Sequence, residues 1–114
     1  MNTPEVEQLS ADVCVTGQLE VAQMAWAAQA GFKSVINNRP DFEAGPDQPT
    51  SASMQAAAIA AGLQYAFLPV APSVQTPQEI ARFAELLGEL PKPVLAFCRS
   101  GTRSRKLYRA TPGG

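Results

Sequence analysis

The stretch VLAFCRSGTRS, residues 94–104, sets four residues with no polar member directly before a cysteine and crowds arginine behind it. A strand that is apolar on both faces is buried on both faces, which is the place of a central strand in a parallel sheet. The segment that follows begins at Cys98, contains Gly101 and the hydroxyls of Ser100, Thr102 and Ser104, and carries Arg99, Arg103 and Arg105. Gly101 admits backbone angles closed to other residues, so residues 98–103 are expected to curl tightly. Curling turns successive N–H groups inward as an anion nest. A short helix is expected to start near Thr102 or Arg103, and its first turn adds unpaired N–H groups and positive potential. A thiolate at the centre of that nest would be stabilised by the N–H groups and by guanidinium charge. It would be a nucleophile that needs no histidine. The candidate anion-binding set is therefore Arg99, Ser100, Gly101, Thr102, Arg103 and Ser104 around Cys98; the competing reading is an inert cysteine buried at a strand end.

Outward from this stretch the chain alternates. Residues 12–16 read as a short strand ended by Gly17, and residues 19–30 as a helix with Ala22, Trp26 and Gln29 or Ala30 on one face and Gly31 as its C-terminal cap. Trp26 is expected in the core. Residues 34–36 make a second strand, residues 37–41 (Asn-Asn-Arg-Pro-Asp) a turn, and the stretch to Thr50 a loop. Residues 51–61 form an alanine-rich helix closed by Gly62, and residues 65–70 a third strand. Thr76, Pro77 and Glu79 announce a helix through a capping box with proline at its first position; Ile80, Phe83, Ala84 and Leu87 give it an apolar face. The order implies an α/β domain of three layers, with a mostly parallel four- to five-stranded sheet between helices. Ligands of such sheets bind beyond the carboxyl ends of the strands, where both Cys98 and residues 38–41 fall. One domain spans residues 1–114, with no internal repeat.

Composition narrows the function. The chain has 114 residues, 46% of them hydrophobic, and a net charge of −1. That balance gives no general attraction to nucleic acid or to an anionic membrane. No uncharged stretch is continuously apolar enough to span a bilayer, and the N-terminus has no basic or apolar region typical of a secretory signal. The charge is uneven: residues 92–109 carry six basic side chains and no acidic one. No histidine is present, so imidazole catalysis is excluded, and with Cys14 as the one other thiol no metal site is expected. Cys14 reads as a small buried hydrophobe inside a strand. No cofactor is implied, and a reducing cytoplasm suits a free thiol.

Three blocks, SVINNRPDFE, QYAFLPV and VLAFCRSGTRS, together resemble the phosphatase-like domain found fused to beta-lactamase-like hydrolases, over about residues 9–108. The resemblance implies a fold similar to dual-specificity and tyrosine phosphatases, and the family has been described both as phosphatases and as sulfurtransferases. It implies that Cys98 is the nucleophile and Arg103 the anion-binding arginine, and that Asn38, Arg39, Pro40 and Asp41 form the family's polar block at the rim. A hydrolase of the metallo-beta-lactamase-like kind is an implied partner.

The loop departs from tyrosine phosphatases, which place five residues between cysteine and arginine; here there are four, Arg99, Ser100, Gly101 and Thr102. That shorter ring is similar to the rhodanese loop and suits the terminal sulfur of a persulfide. Residues 71–75, after the third strand, hold no acid to protonate a leaving group, and Asp41 is the substitute within the neighbouring rim. Sulfur transfer needs no such acid, because sulfite or a thiolate leaves unprotonated. The sequence therefore favours a sulfurtransferase working through a Cys98 persulfide on a small anionic or persulfide substrate with a thiol acceptor. A phosphatase with a phosphocysteine intermediate is the alternative, and a non-catalytic anion-binding or thiol-redox domain the third reading.

Overall fold

A computed structural model describes residues 3–114; the first two residues of the expected domain lie outside the described part. Its elements run β1 (Val6–Gln8), β2 (Val13–Thr16), α1 (Gln23–Gln29), β3 (Ser34–Asn37), α2 (Ser51–Ala60), β4 (Gln64–Phe67), α3 (Pro77–Glu89), β5 (Val94–Phe97) and α4 (Thr102–Ala110). The strand order is β1-β2-β5-β3-β4. β5 pairs in parallel with both β2 and β3, and β3 in parallel with β4. Only β1 runs antiparallel, against β2. The α/β, mostly parallel, three-layer architecture expected from the sequence is the one observed.

β5 shows why its composition fits its place. Successive side chains of a strand point to opposite faces. Val94 and Ala96 enter one core, with Val15 and Ile36 from the neighbouring strands, Phe83 and Leu86 from α3, and Leu107 from α4. Leu95 and Phe97 enter the other, with Met24 and Ala27 from α1 and Met54 and Ala58 from α2. All four β5 residues are fully buried. A strand with polar residues on either face could not occupy this position without desolvating them.

The differences from the sequence reading have local causes. β1 was not anticipated: all three of its residues are exposed, so it carries no apolar alternation to read. It is held by backbone pairing and by the Thr16 hydroxyl, which donates to the Glu5 carbonyl at 2.6 Å. α1 begins at Gln23 rather than at Leu19, because residues 20–24 first form turns in which Gln23 and Met24 donate to Glu20 and Val21. Met24 and Ala27, not Ala22, are its buried face; Ala22 is exposed and Trp26 is half-buried at the cluster edge against Phe32. β4 stops at Phe67, three residues short of the expected end. Leu68 and Val70 still donate to Asn37 and Asn38, but Pro69 between them has no N–H to extend the ladder.

The caps match their sequence signals. Gly31 takes a φ of 100° after α1 and Gly62 a φ of 86° after α2. Thr76 and Glu79 form both bonds of a capping box at α3. Thr50, read as the end of a loop, is the N-cap of α2. Because both capping-box bonds are exposed, Thr76→Ala should lower stability by about 1 kcal/mol, read as a shift in denaturation midpoint at constant slope.

Candidate active site

Three strand ends build the rim around Cys98. The loop after β5 is held from below by β2: Cys98 N–H donates to the Thr16 carbonyl at 3.4 Å, and Gln18 N–H donates to the Arg99 carbonyl at 3.2 Å. On the β3 side, Asn38 N–H donates to the Phe97 carbonyl at 2.8 Å. Cys98 is 1% exposed. Gly101 has a φ of 90°, and its N–H donates to the Cys98 sulfur at 3.1 Å. A Cβ at Gly101 would stand 3.3 Å from the backbone of Thr16. Glycine is thus required twice over, by conformation and by the close approach of β2. α4 starts at the next residue, with Gly101 as its N-cap.

The other loop residues have separate tasks. Arg99 and Ser100 are exposed. The Ser100 hydroxyl donates to the Thr102 hydroxyl at 3.1 Å. Ser104 is fully buried, and its hydroxyl donates to Asn38 Oδ1 at 2.8 Å. Asn38 in turn donates through Nδ2 to the Leu68 carbonyl at 3.0 Å. Asn38 and Ser104 therefore brace the loop against β3 and β4. A groove of about 450 Å³ opens beside the loop between β1, β2 and Ser100–Gly101; neither Cys98 nor Arg103 lines it.

Arg103 is 6% exposed and held by a residue the sequence reading did not single out. Its Nη1 and Nη2 donate to the two carboxylate oxygens of Glu43 at 2.8 and 2.9 Å, and Nη1 also donates to the Val70 carbonyl at 3.2 Å. Arg39, 7% exposed, donates through Nε to the same Glu43 carboxylate at 2.8 Å and through Nη1 to Gln18 Oε1 at 3.0 Å. Hydrogen bonds from Arg103, then from Arg39, hold the Glu43 carboxyl below the usual glutamate range. Glu43 raises Arg103 further above its ordinary value, and the nearby Cys98 adds a smaller contribution in the same direction. Glu43 is placed by an unusual backbone: Phe42 has a φ of 62°, uncommon for a bulky residue, and its side chain is 62% exposed.

A donor count shows what Arg103 keeps. A guanidinium has five N–H groups. Three are engaged, two on the end-on fork that grips Glu43 and one on Val70. The Nε–H and the second Nη2–H remain, and they point the same way along one edge. No buried side-chain nitrogen or oxygen among the described residues lacks a partner, so the unpartnered Nε reaches solvent. Glu43 fixes Arg103 without consuming the edge that would grip an oxyanion bidentately.

Asp41 is placed differently from its neighbours. Its Oδ1 accepts from Ser51 N–H at 2.7 Å, at the start of α2, and no ion pair joins it to either arginine among the described residues. Asn37, Tyr65 and Ser51 form a side-chain chain beneath it, with Tyr65 Oη 3.0 Å from Asn37 Nδ2 and 2.8 Å from Ser51 Oγ. Cys14 is half-buried beside the α1–α2 core, and burial pushes its thiol up, in keeping with a packing role. No group of metal-ligating side chains occurs among the described residues.

Fold and rim together define a phosphatase-like α/β domain with a cysteine at the exit of its central strand. The chain belongs to the phosphatase-like domain family of the beta-lactamase hydrolase-like proteins, whose sequence profile matches residues 5–112. A beta-lactamase hydrolase-like protein of Agrobacterium fabrum is 40% identical over 94 residues, which is 82% of this chain and 22% of that protein. The chain thus spans about a fifth of that curated relative's length. Among solved structures, a Neisseria meningitidis protein provisionally described as a phosphatase superposes with a TM-score of 0.82 at 33% identity, covering 89% of this chain and 71% of that one. TpbA of P. aeruginosa, solved as a cysteine-to-serine variant with phosphotyrosine, shares the fold at a TM-score of 0.61 and 17% identity, covering 90% of this chain and 58% of that one.

Two outcomes test the geometry. Gly101→Ala should cost at least about 1 kcal/mol, the strain of a left-handed alanine, and should also displace the loop from β2; unchanged stability would mean the loop tolerates a Cβ against Thr16. Glu43→Gln should destabilise the protein at neutral pH. The folded Glu43 carboxyl titrates below its unfolded value of about 4.3, so its contribution is complete above that value and is lost as pH falls through the lower folded one. The gap between wild type and Glu43→Gln in denaturant titrations should therefore narrow below about pH 4. A gap that stays constant into strong acid would contradict the charged clamp.

Proposed function

We propose that this domain hydrolyses phosphomonoesters through a phosphocysteine on Cys98. The observation that carries the reading is the open edge of Arg103 in the Cys98 loop. Membership of a phosphatase-like family and the likeness to the Neisseria protein support it. The Cys98 thiolate attacks phosphorus in line with the ester oxygen, so that a P–S bond forms as the P–O bond breaks. The departing oxygen takes a proton from a general acid. Water then attacks phosphorus, the P–S bond breaks, and inorganic phosphate and the thiolate are released. Arg103 grips two of the phosphoryl oxygens, and loop N–H groups and the first turn of α4 take the remaining charge.

Glu43 is a poor proton donor, because two guanidinium groups hold it as the carboxylate. Asp41 is assigned the acid role instead. Its Oδ1 is anchored on Ser51, and its other oxygen makes no hydrogen bond among the described residues. Arg99, exposed beside the loop, draws the anionic substrate toward the cleft. Sulfur transfer through a Cys98 persulfide, the first expectation from the sequence, retains two arguments, the four-residue spacing between Cys98 and Arg103 and the lack of an acid in residues 71–75. Membership of a phosphatase-like family favours phosphoester hydrolysis over it. A reducing cytoplasm is the compartment proposed for this thiol, and a beta-lactamase-like hydrolase unit is the partner proposed from the relatives' name. No helix among the described residues is long and apolar enough to cross a membrane.

Cleavage of an aryl phosphate and of an alkyl phosphate tests the reading. Cys98→Ser should abolish both. Arg103→Lys keeps the charge but loses the fork, and should lower kcat/KM strongly and also destabilise the protein, because the grip on Glu43 and Val70 weakens. Asp41→Asn should cost roughly 10²–10⁴-fold on the alkyl ester, whose leaving group needs a proton, and much less on the aryl ester. Equal penalties on the two esters would remove Asp41 from the acid role, and turnover by Cys98→Ser would remove the phosphocysteine.

A further inference from the structure

Arg39 stands in the rim with more charge and more donors than its own contacts use. It is 7% exposed, and its side chain spends Nε on Glu43 and one Nη1 bond on Gln18. Its Nη2, a nitrogen with two N–H donors, has no partner among the described residues. Since no buried side-chain nitrogen or oxygen there is without a partner, Nη2 reaches solvent. Arg39 Nε and Arg103 Nη2 donate to the same oxygen of Glu43, at 2.8 and 2.9 Å. Two guanidinium groups, each more than nine-tenths buried, thus share a single carboxylate.

Burying a guanidinium costs several kcal/mol unless charge and hydrogen bonds compensate it. Glu43 compensates one of the two. Asp41, the other nearby acid, is committed to the start of α2. Arg103 Nη2 and Arg39 Nε meet on one Glu43 oxygen, so the spare donors of Arg39 fall close to the free edge of Arg103. They suit a second anionic group that follows the phosphoryl group within the same substrate.

We propose that Arg39 forms a second anion subsite, and that the substrate is a small phosphomonoester carrying a second oxyanion a few bonds from the ester. The inference rests on the phosphatase reading for the placement of the first anion. The second group is a phosphate or a carboxylate; both offer two oxygens to a guanidinium edge.

A matched two-carbon series tests it by calorimetric binding to Cys98→Ser, which removes turnover: 2-hydroxyethyl phosphate, phosphoglycolate and ethane-1,2-diyl bisphosphate. The two doubly anionic ligands should bind about tenfold tighter than the hydroxyethyl ester, the scale of one charge-assisted bond. Adding Arg39→Gln should erase that advantage, so that the three ligands bind alike in that variant. Arg39→Lys, which keeps the charge if the glutamine variant folds poorly, should retain part of it. The bisphosphate and phosphoglycolate arms then tell which second oxyanion is preferred. Equal affinity across the series overturns the second subsite. So does an advantage that survives Arg39→Gln, or a loss that falls equally on all three ligands, which would put Arg39 on the same phosphoryl group as Arg103. Failure of every ligand to bind, with no aryl phosphate cleavage by the wild type, would overturn the phosphatase reading as well; cleavage of the aryl ester with no preference in the series would sink the second subsite alone.

Discussion

The Glu43 carboxylate, gripped by Arg103 and Arg39 together, is the contact on which the rim depends. Each arginine is buried to a degree that isolated charge does not tolerate. Neither could hold its position as a bare cation, and removing the carboxylate would leave two buried like charges close together. Through Arg103 the carboxylate reaches the loop after β5 and the Val70 carbonyl. Through Arg39 it reaches Gln18 beyond β2. The exits of β2, β3, β4 and β5 are thereby laced into one surface before any ligand arrives. Such preorganisation is what an anion-stabilising site requires, because donors already in place cost no reorganisation during reaction.

The sheet supplies the rigid floor. β5 is the middle strand of the sheet, with parallel partners on both sides and helices over both faces. The Cys98 thiol at its carboxyl end, the proposed nucleophile, is therefore positioned by strands buried on both faces. Gly101 lets the loop fold back against Thr16 closely enough for its N–H to meet the Cys98 sulfur. Asn38 and Ser104 tie the same loop to the neighbouring strand. The proposed anion site is thus built on strand ends and a helix start, with exposed Arg99 beside it.

The parts legible in the sequence were those set by local chemistry or by burial on both faces. The apolar run 94–97 announced the central strand, and Thr76, Pro77 and Glu79 announced α3. Cys98, Gly101 and Arg103 announced a loop able to hold an anion. β1 stayed hidden because an edge strand with three exposed residues leaves no pattern. Glu43 stayed hidden for a different reason. Its importance comes from Arg103, sixty positions away in the chain, and in sequence it is one acid in a polar loop. The visible clue was the Arg39 to Glu43 interval beside an excess of arginine, which marks a pair only once the loop's path is known. Arg39 and Asn38 were recognised as rim residues, but the sequence does not separate a brace such as Asn38 from a charge with unused donors such as Arg39. The preference for sulfur transfer came from counting residues between Cys98 and Arg103 and from the lack of an acid in residues 71–75, and neither records which edge of the arginine the fold leaves open.

The most direct measurement of the central claim is the intact mass of protein quenched in acid during turnover of an aryl phosphate, with a parallel sample exposed to thiosulfate and then freed of it. Phosphoester hydrolysis through Cys98 predicts a transient phosphoryl adduct on the wild type, none on Cys98→Ser, and no lasting single-sulfur adduct in the parallel sample. A single-sulfur adduct on Cys98 that a thiol acceptor discharges, with no phosphoryl adduct and no ester cleavage, would contradict the account and return the loop to sulfur transfer.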